Sequence, residues 1–215
     1  MKVIVLDIIE ITRDYVSEVL SDEPSSHDMG HVERVESLCM HIGEKEGGNP
    51  DVLRLASLLH DVGVVREHKE GGDHALHGAE IAGSFLVDKE VDEKTIEHVV
   101  SCIRTHRFSH GMVPESLEGQ ILQDADRIDA LGAVGIFRSL LSMGALRGLK
   151  HASGMVKESS MNAYTQNPFE GFEEYMERKP FKIMDSLNTC TSRDIATDRL
   201  KIMEDFLEQL KREVY

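Results

Sequence analysis

The sequence predicts an all-α fold, and three observations carry that expectation. Apolar residues recur at three- and four-residue intervals through most of the chain, no stretch alternates with the period of two that a half-buried strand needs, and Gly, Pro, Asn and Asp clusters separate the periodic segments. With 215 residues, 40% of them hydrophobic and 29% charged, the chain can bury one substantial core. Residues 1–215 are therefore expected to form a single domain without internal repeats.

Residues 3–20 place Val5, Ile8, Ile9, Thr12, Val16 and Val19 near helical spacing, and Pro24 with its neighbouring serines closes this opening helix. A second helix runs from His27 to about Glu44 on the stripe Val32, Val35, Leu38, Cys39 and Ile42, and Gly47-Gly48-Asn49-Pro50 ends it. Asp51 starts a third, with Val52, Leu55, Ala56 and Leu59 on its buried face, ending near Asp61-Val62-Gly63. The charged stretch Arg66 to Asp73, containing Gly71-Gly72, reads as a mobile loop. Helices follow over His74 to Val87 and Asp92 to His106, the latter with Asp92 as N-cap.

A loop over Ser109 to Gly119 leads to a helix defined by Leu117, Ile121, Leu122, Ala125, Ile128 and Leu131. Ala133 to Leu146, apolar on most sides, predicts a central buried helix, and Gly148 to Asn167 an irregular insert. The pattern returns from Phe169 to about Leu187, bent or broken at Pro180. A last helix spans about Ser192 to Glu213, where Thr191-Ser192-Arg193-Asp194 has the form of a capping box.

Lys and Arg total 24 against 39 Asp and Glu, a formal charge of -15, which disfavours a nucleic acid polymer as partner but leaves small phosphorylated substrates open. Cys39, Cys102 and Cys190 are odd in number and share no pairing motif, as expected of reduced, buried thiols in a cytoplasmic protein. Asp7 and Glu10 interrupt the N-terminal apolar run, so no targeting segment or membrane span is expected.

Three segments carry chemistry. His27 and His31 lie four apart, on one face if the helix already runs there, with Arg34 three beyond. His60-Asp61 closes an apolar run, and at a helix end both groups can reach one ion, although a dipole-facing histidine and a capping aspartate account equally well for the pair alone. Asp126 and Asp129 are adjacent on a helix surface, where two carboxylates disfavour each other's charge unless a cation intervenes or Arg127 neutralises one. The apolar run Ala130 to Gly135 follows directly, unlike the surroundings of a merely solvated acidic face. His31, His60, Asp61 and Asp126 together make a mixed nitrogen and oxygen set suited to one divalent ion: manganese, magnesium, iron, cobalt, nickel or zinc.

A histidine, then His-Asp, then a distant aspartate in an all-helical chain resembles the HD-domain superfamily of metal-dependent phosphohydrolases. The segments His27 to Val35 and Gln123 to Gly132, with a tail of Leu187-Asn188-Thr189, Ile195-Ala196 and the helix from Arg199 to Phe206, look like one bacterial and archaeal branch of small HD hydrolases. The resemblance implies a helical bundle with its metal core over about 27–131 and C-terminal helices over about 168–214 packing on it. It also implies ligation by His31, His60, Asp61 and Asp126, and hydrolysis of a nucleotide or similar small phosphate ester, with nucleoside triphosphate going to monophosphate plus pyrophosphate in some members. Where many HD proteins carry a lysine, histidine or glutamate shortly after the pair, this chain has Val64 and Val65.

In the mechanism this implies, Asp61 is both ligand and catalytic group, and Asp129 or a histidine of the 74–77 segment orients the attacking water. Arg34, Arg127, His77 and His106 face the substrate, although Arg127 and Asp129 equally form a structural pair holding Asp126. Among His74, His77, His98 and His106, His77 and His106 stand nearest helix ends and are the first candidates for a second ion. Alternatives are a nucleotidase or phosphodiesterase of the same superfamily, a non-catalytic sensor that binds metal and nucleotide, and a helical scaffold with a chance His-Asp pair. A homo-oligomer is compatible with all of them.

Overall fold

The computed structural model describes residues 2–21, 27–107, 111–141, 172, 173, 176 and 180–215, and all the regular structure among them is helical. Helix α1 covers Lys2–Val19, α2 Met29–Glu46, α3 Pro50–Leu59, α4 Val64–Glu70, α5 His74–Asp88, α6 Glu93–Thr105 and α7 Leu117–Asp129. Residues 132–141 form α8; α9 is Pro180–Ile183, continued by a 3-10 turn over Met184–Ser186, and α10 is Cys190–Val214. No described helix is long and apolar enough to cross a membrane.

Capping fixes where these helices begin. Asp28 is extended and accepts from the His31 backbone N–H at 2.8 Å, so α2 starts at Met29 and His27 lies outside it. Asn49, not Asp51, caps α3, accepting from the Asp51 and Val52 N–H groups with Pro50 at the first helical position. Asp73 caps α5 through Ala75 N–H, and Asp92 caps α6 through Thr95 N–H as expected. Thr189 precedes α10 and accepts from Ser192 N–H, so the cap lies two residues before Thr191, where the capping box was anticipated to begin.

Other expectations are corrected. The stretch expected as a loop from Arg66 to Asp73 is largely the two-turn helix α4, held by buried Val64 and an Arg66 to Glu70 pair, and ended at Gly71 and Gly72 with φ of 76° and 94°. The helix expected to be centrally buried at Ala133 exposes Phe137, Leu140 and Leu141 among its described residues. Cys39 and Cys102 are buried, but Cys190 is exposed. The insert expected at Gly148 to Asn167 lies outside the described residues.

Two compact units are present, Met1–Arg127 with Asn188–Ser192, and Ile128–Leu187 with Arg193–Tyr215. In the first, α5 packs on α6, α2 on α3, α3 on both α1 and α6, and α4 on α5. Val35, Ile42, Leu58, Leu59, Leu86 and Ile103 are fully enclosed in its core. Gly63, at the turn into α4, runs so close to α5 that a Cβ there would lie 2.2 Å from the His74 carbonyl oxygen and 2.4 Å from Gly78 N. That approach sets the end of α3 against the start of α5. In the second unit Arg199 donates to the Ile128 carbonyl at 2.8 Å, and the Phe172 and Phe206 rings meet edge to face.

Candidate metal centre

Helix ends deliver most of the site. His60 is the C-cap of α3 with Asp61 next in the turn, His74 opens α5, and His106 is the C-cap of α6. His31 lies in the first turn of α2 and Asp126 in the last turns of α7. The rings of His27, His31, His60, His106 and His74 follow one another in a closed circuit at centroid separations of 5.2 to 6.0 Å.

Asp61, 1% exposed, stands within this circuit. Its Oδ2 accepts from His27 Nδ1 at 2.7 Å and lies 3.3 Å from His31 Nε2 and 3.2 Å from His60 Nε2. Its Oδ1 faces the other way, 3.8 Å from both His74 Nε2 and His106 Nε2. Asp126 Oδ1 is 3.4 Å from His31 Nε2 and is the more open carboxylate, its side chain about a quarter exposed. The four residues expected as ligands, His31, His60, Asp61 and Asp126, are thus brought together.

Hydrogen bonds on the far side of each ring decide which nitrogen points inward. His60 Nδ1 donates to the Ser57 carbonyl at 2.7 Å, His106 Nδ1 to the Ile103 carbonyl at 2.6 Å, and His74 Nδ1 to Glu67 Oε2 at 2.9 Å. In the neutral ring each Nε2 therefore presents a lone pair to the centre. His60 Nε2 and His31 Nε2 face each other at 3.2 Å with two carboxylates beside them, an arrangement a divalent cation would stabilise. Within this cluster three sets of donors lie close enough together to hold such an ion, His27 with His31 and Asp61, His31 with His60 and Asp126, and Asp61 with His74 and His106.

The electrostatics favour ionised carboxylates and a neutral His106. Burial opposes ionisation of Asp61, yet His60 and His27 outweigh it and hold the carboxyl well below the usual range; Asp126 is likewise lowered against burial, by His31. Burial, reinforced by His60, pulls His106 down to about 4, so its imidazole is neutral at neutral pH. For His60 burial acts downward, but Asp61 prevails and the group is raised.

The other expected site residues are placed differently. His77 Nε2 donates to the Gly71 carbonyl at 2.9 Å, closing the loop before α5, and His74 one turn earlier is the member of α5 that joins the cluster. Arg34 is half-buried, its guanidinium beside Gly30 in the first turn of α2. Arg127 is 6% exposed, and burial depresses it against the pull of Asp124 and Asp126. Asp129 is fully buried in the second unit and ion-paired to Arg138.

Four contributors, His27, Glu67, Arg107 and Asp124, are not among the expected site residues. His27 reaches Asp61 from ahead of α2, outside the helix, where a shared helix face is not the relevant geometry. Glu67 and Arg107 meet across 40 residues, beyond any local pattern. Asp124 was seen only as part of an acidic run. It accepts from Asn188 N, Asn188 Nδ2, Thr189 N and Thr189 Oγ1, each at 2.9 Å, two residues before Asp126.

Residues 29–131 match the family model of the HD domain. Across 208 residues the chain is 32% identical to YpgQ of Bacillus subtilis, covering 95% of this chain and 93% of that protein. The structure of YpgQ in complex with ADP superposes with a TM-score of 0.72 at 27% identity, covering 98% of this chain and 97% of the other. An HD-superfamily hydrolase from Bacillus thuringiensis superposes with a TM-score of 0.70 at 30% identity, covering 97% of each chain.

Proposed function

The chain belongs to the HD domain family of hydrolases, and from that premise we propose that it is a metal-dependent phosphohydrolase acting on a nucleotide, cleaving nucleoside triphosphate to monophosphate and pyrophosphate. The carrying observation is the division of Asp61, one oxygen toward His31 and His60 and the other toward His74 and His106. His31, His60, Asp61 and Asp126 hold the first divalent ion, and Asp61, His74 and His106 a second. Bound there, such ions supply Lewis-acid polarisation of phosphate and an acidified water.

The chain's own residues do the rest. Ser57 and Ile103 keep the His60 and His106 protons on Nδ1, so neither ring must reorient to ligate. Enclosure of Asp61 keeps bulk water from its carboxylate and strengthens every charge interaction there. Arg34, one turn beyond His31, is the cation offered to the phosphates. The ADP bound by YpgQ supports a nucleotide as the substrate class.

The test is metal analysis of the purified protein followed by a nucleotide panel with separated products. Pyrophosphate release from triphosphates, abolished with metal binding in Asp61→Ala at unchanged helical content, is the expected result. Orthophosphate release would indicate a nucleotidase, binding without turnover a sensor, and full hydrolysis by metal-free Asp61→Ala would end the proposal.

A further inference from the structure

We infer that Glu67 and Arg107 are positioning residues for the second ion, a rigid carboxylate and guanidinium frame that aims His74 Nε2 at Asp61. The inference rests on the reading of Asp61, His74 and His106 as an ion site, and concerns residues that no ligand pattern identifies.

Glu67 is saturated by donors. Its Oε2 accepts from His74 Nδ1 at 2.9 Å, and its Oε1 from Arg107 Nη1 at 2.9 Å and from the His74 backbone N–H at 3.4 Å. One carboxylate thereby fixes both the ring and the backbone of the first residue of α5. It also fixes the tautomer: with the proton held on Nδ1, the Nε2 lone pair is free for a cation.

Arg107 locks the frame from the other side. The same Nη1 donates at 2.9 Å to Asp73 Oδ1, so the guanidinium joins Glu67 of α4 to the N-cap of α5. Asp73 immediately precedes the ligand His74, and Arg107 immediately follows the ligand His106. The ion pair between the two neighbours ties the end of α6 to the start of α5 within one residue of both imidazoles. All three side chains are at most 29% exposed, which shields the network from solvent.

Glu67, Asp73 and His74 are close enough to form a ligand trio themselves. Arg107 already supplies the cation between the two carboxylates, so this trio is a support rather than a third site.

Substituting glutamine separates positioning from shape. In Glu67→Gln the amide offers one acceptor and one donor where Arg107 and His74 both donate. Pairing is recovered if His74 gives up its Nδ1 proton and carries it on Nε2, which removes the inward lone pair.

The experiment combines the 15N resonances of the His74 ring in metal-free protein with calorimetric titration of Mn2+ at neutral pH. Wild type should show an Nδ1 proton and two ions. Glu67→Gln should show an Nε2 proton and bind one ion about 10- to 100-fold more weakly, with the other unchanged. Arg107→Lys, which keeps the charge but loses the fork, should weaken the same ion less and retain the tautomer. A folded Glu67→Gln protein with the wild-type tautomer and both ions at wild-type affinity overturns the inference. If that variant does not fold, unchanged binding of both ions in Arg107→Lys overturns it. A single ion in wild type overturns the two-ion reading as well, an outcome visible before any variant is made.

Discussion

Replacing Gly63 by alanine should loosen one ion and leave its neighbour in place. Gly63 has an ordinary φ of -81°, so the residue is there for space rather than for backbone conformation. The added Cβ would sit 2.2 Å from the His74 carbonyl oxygen, 2.4 Å from Gly78 N and 3.0 Å from Gly78 Cα. All three are backbone atoms, so no side-chain rotation relieves the clash, and the turn must withdraw from α5 by about 1 Å to reach ordinary contact. Overpacking of this kind costs about 1–3 kcal/mol. The displacement falls on the approach of Asp61 Oδ1 to His74 Nε2, now 3.8 Å, whereas His31 and His60 are anchored by Asp28 and Ser57. Urea denaturation of the metal-free protein should show that loss at unchanged m-value, and Mn2+ titration should weaken the ion assigned to Asp61, His74 and His106 first. Gly78→Ala is the internal scale: its Cβ would meet the His60 carbonyl oxygen at 3.1 Å and Ile103 Cγ2 at 3.4 Å. That milder crowding is offset by up to about 1 kcal/mol of helix propensity, for a net change near zero. A Gly63→Ala protein as stable as wild type with both ions bound would refute the reasoning.

Asp124→Ala leaves the Asn188 and Thr189 backbone N–H groups without their acceptor, while Asn188 Nδ2 keeps Gln123 and Thr189 Oγ1 keeps Ser192, and should destabilise by about 2–4 kcal/mol in urea; a loss under 1 kcal/mol would mean that water replaces the carboxylate. The folded-state value of about 4 for His106 lies below its ordinary 6.5, so its contribution, about 3 kcal/mol, is fully present above pH 6.5 and lost as pH falls toward 4. His60, raised above 6.5, contributes oppositely, present below 6.5 and lost as pH rises through its folded value. Metal-free His106→Gln should therefore lose less stability than wild type between pH 6.5 and 4, and equal losses in urea midpoints would contradict the burial argument. Arg34→Ala should keep both ions while raising KM for a triphosphate, and loss of metal in that variant would make Arg34 structural.

That His31, His60, Asp61 and Asp126 come together was legible from their order along the chain and the resemblance it carries, since the local pattern of each fits a cap or a solvated face equally well. The choice of His74 over His77 was not. Both lie in the first turns of α5, and contacts from outside that helix, Glu67 on the His74 ring and the Gly71 carbonyl on His77, determine which ring turns toward Asp61. The helix that carries Glu67 was hidden because α4 buries so little, with Val64 its one buried residue, that its periodicity is faint beside its charge. The exposed face of α8 illustrates the converse: an apolar run defines a helix, but not what lies against each side of it.

The bonds between Asp124 and residues 188 and 189 also bear on the order in which the protein can be made. The first compact unit takes its final strip of chain from Asn188–Ser192. During synthesis every ligand of the proposed ion sites, from His31 to Asp126, leaves the ribosome more than sixty residues before the groups that satisfy Asp124. Until they arrive, α7 must bury a carboxylate with none of those four donors, or leave it in water. The nascent chain can hold all the proposed ligands early, but the donors that fix Asp124 on α7 reach it only when the tail has been translated.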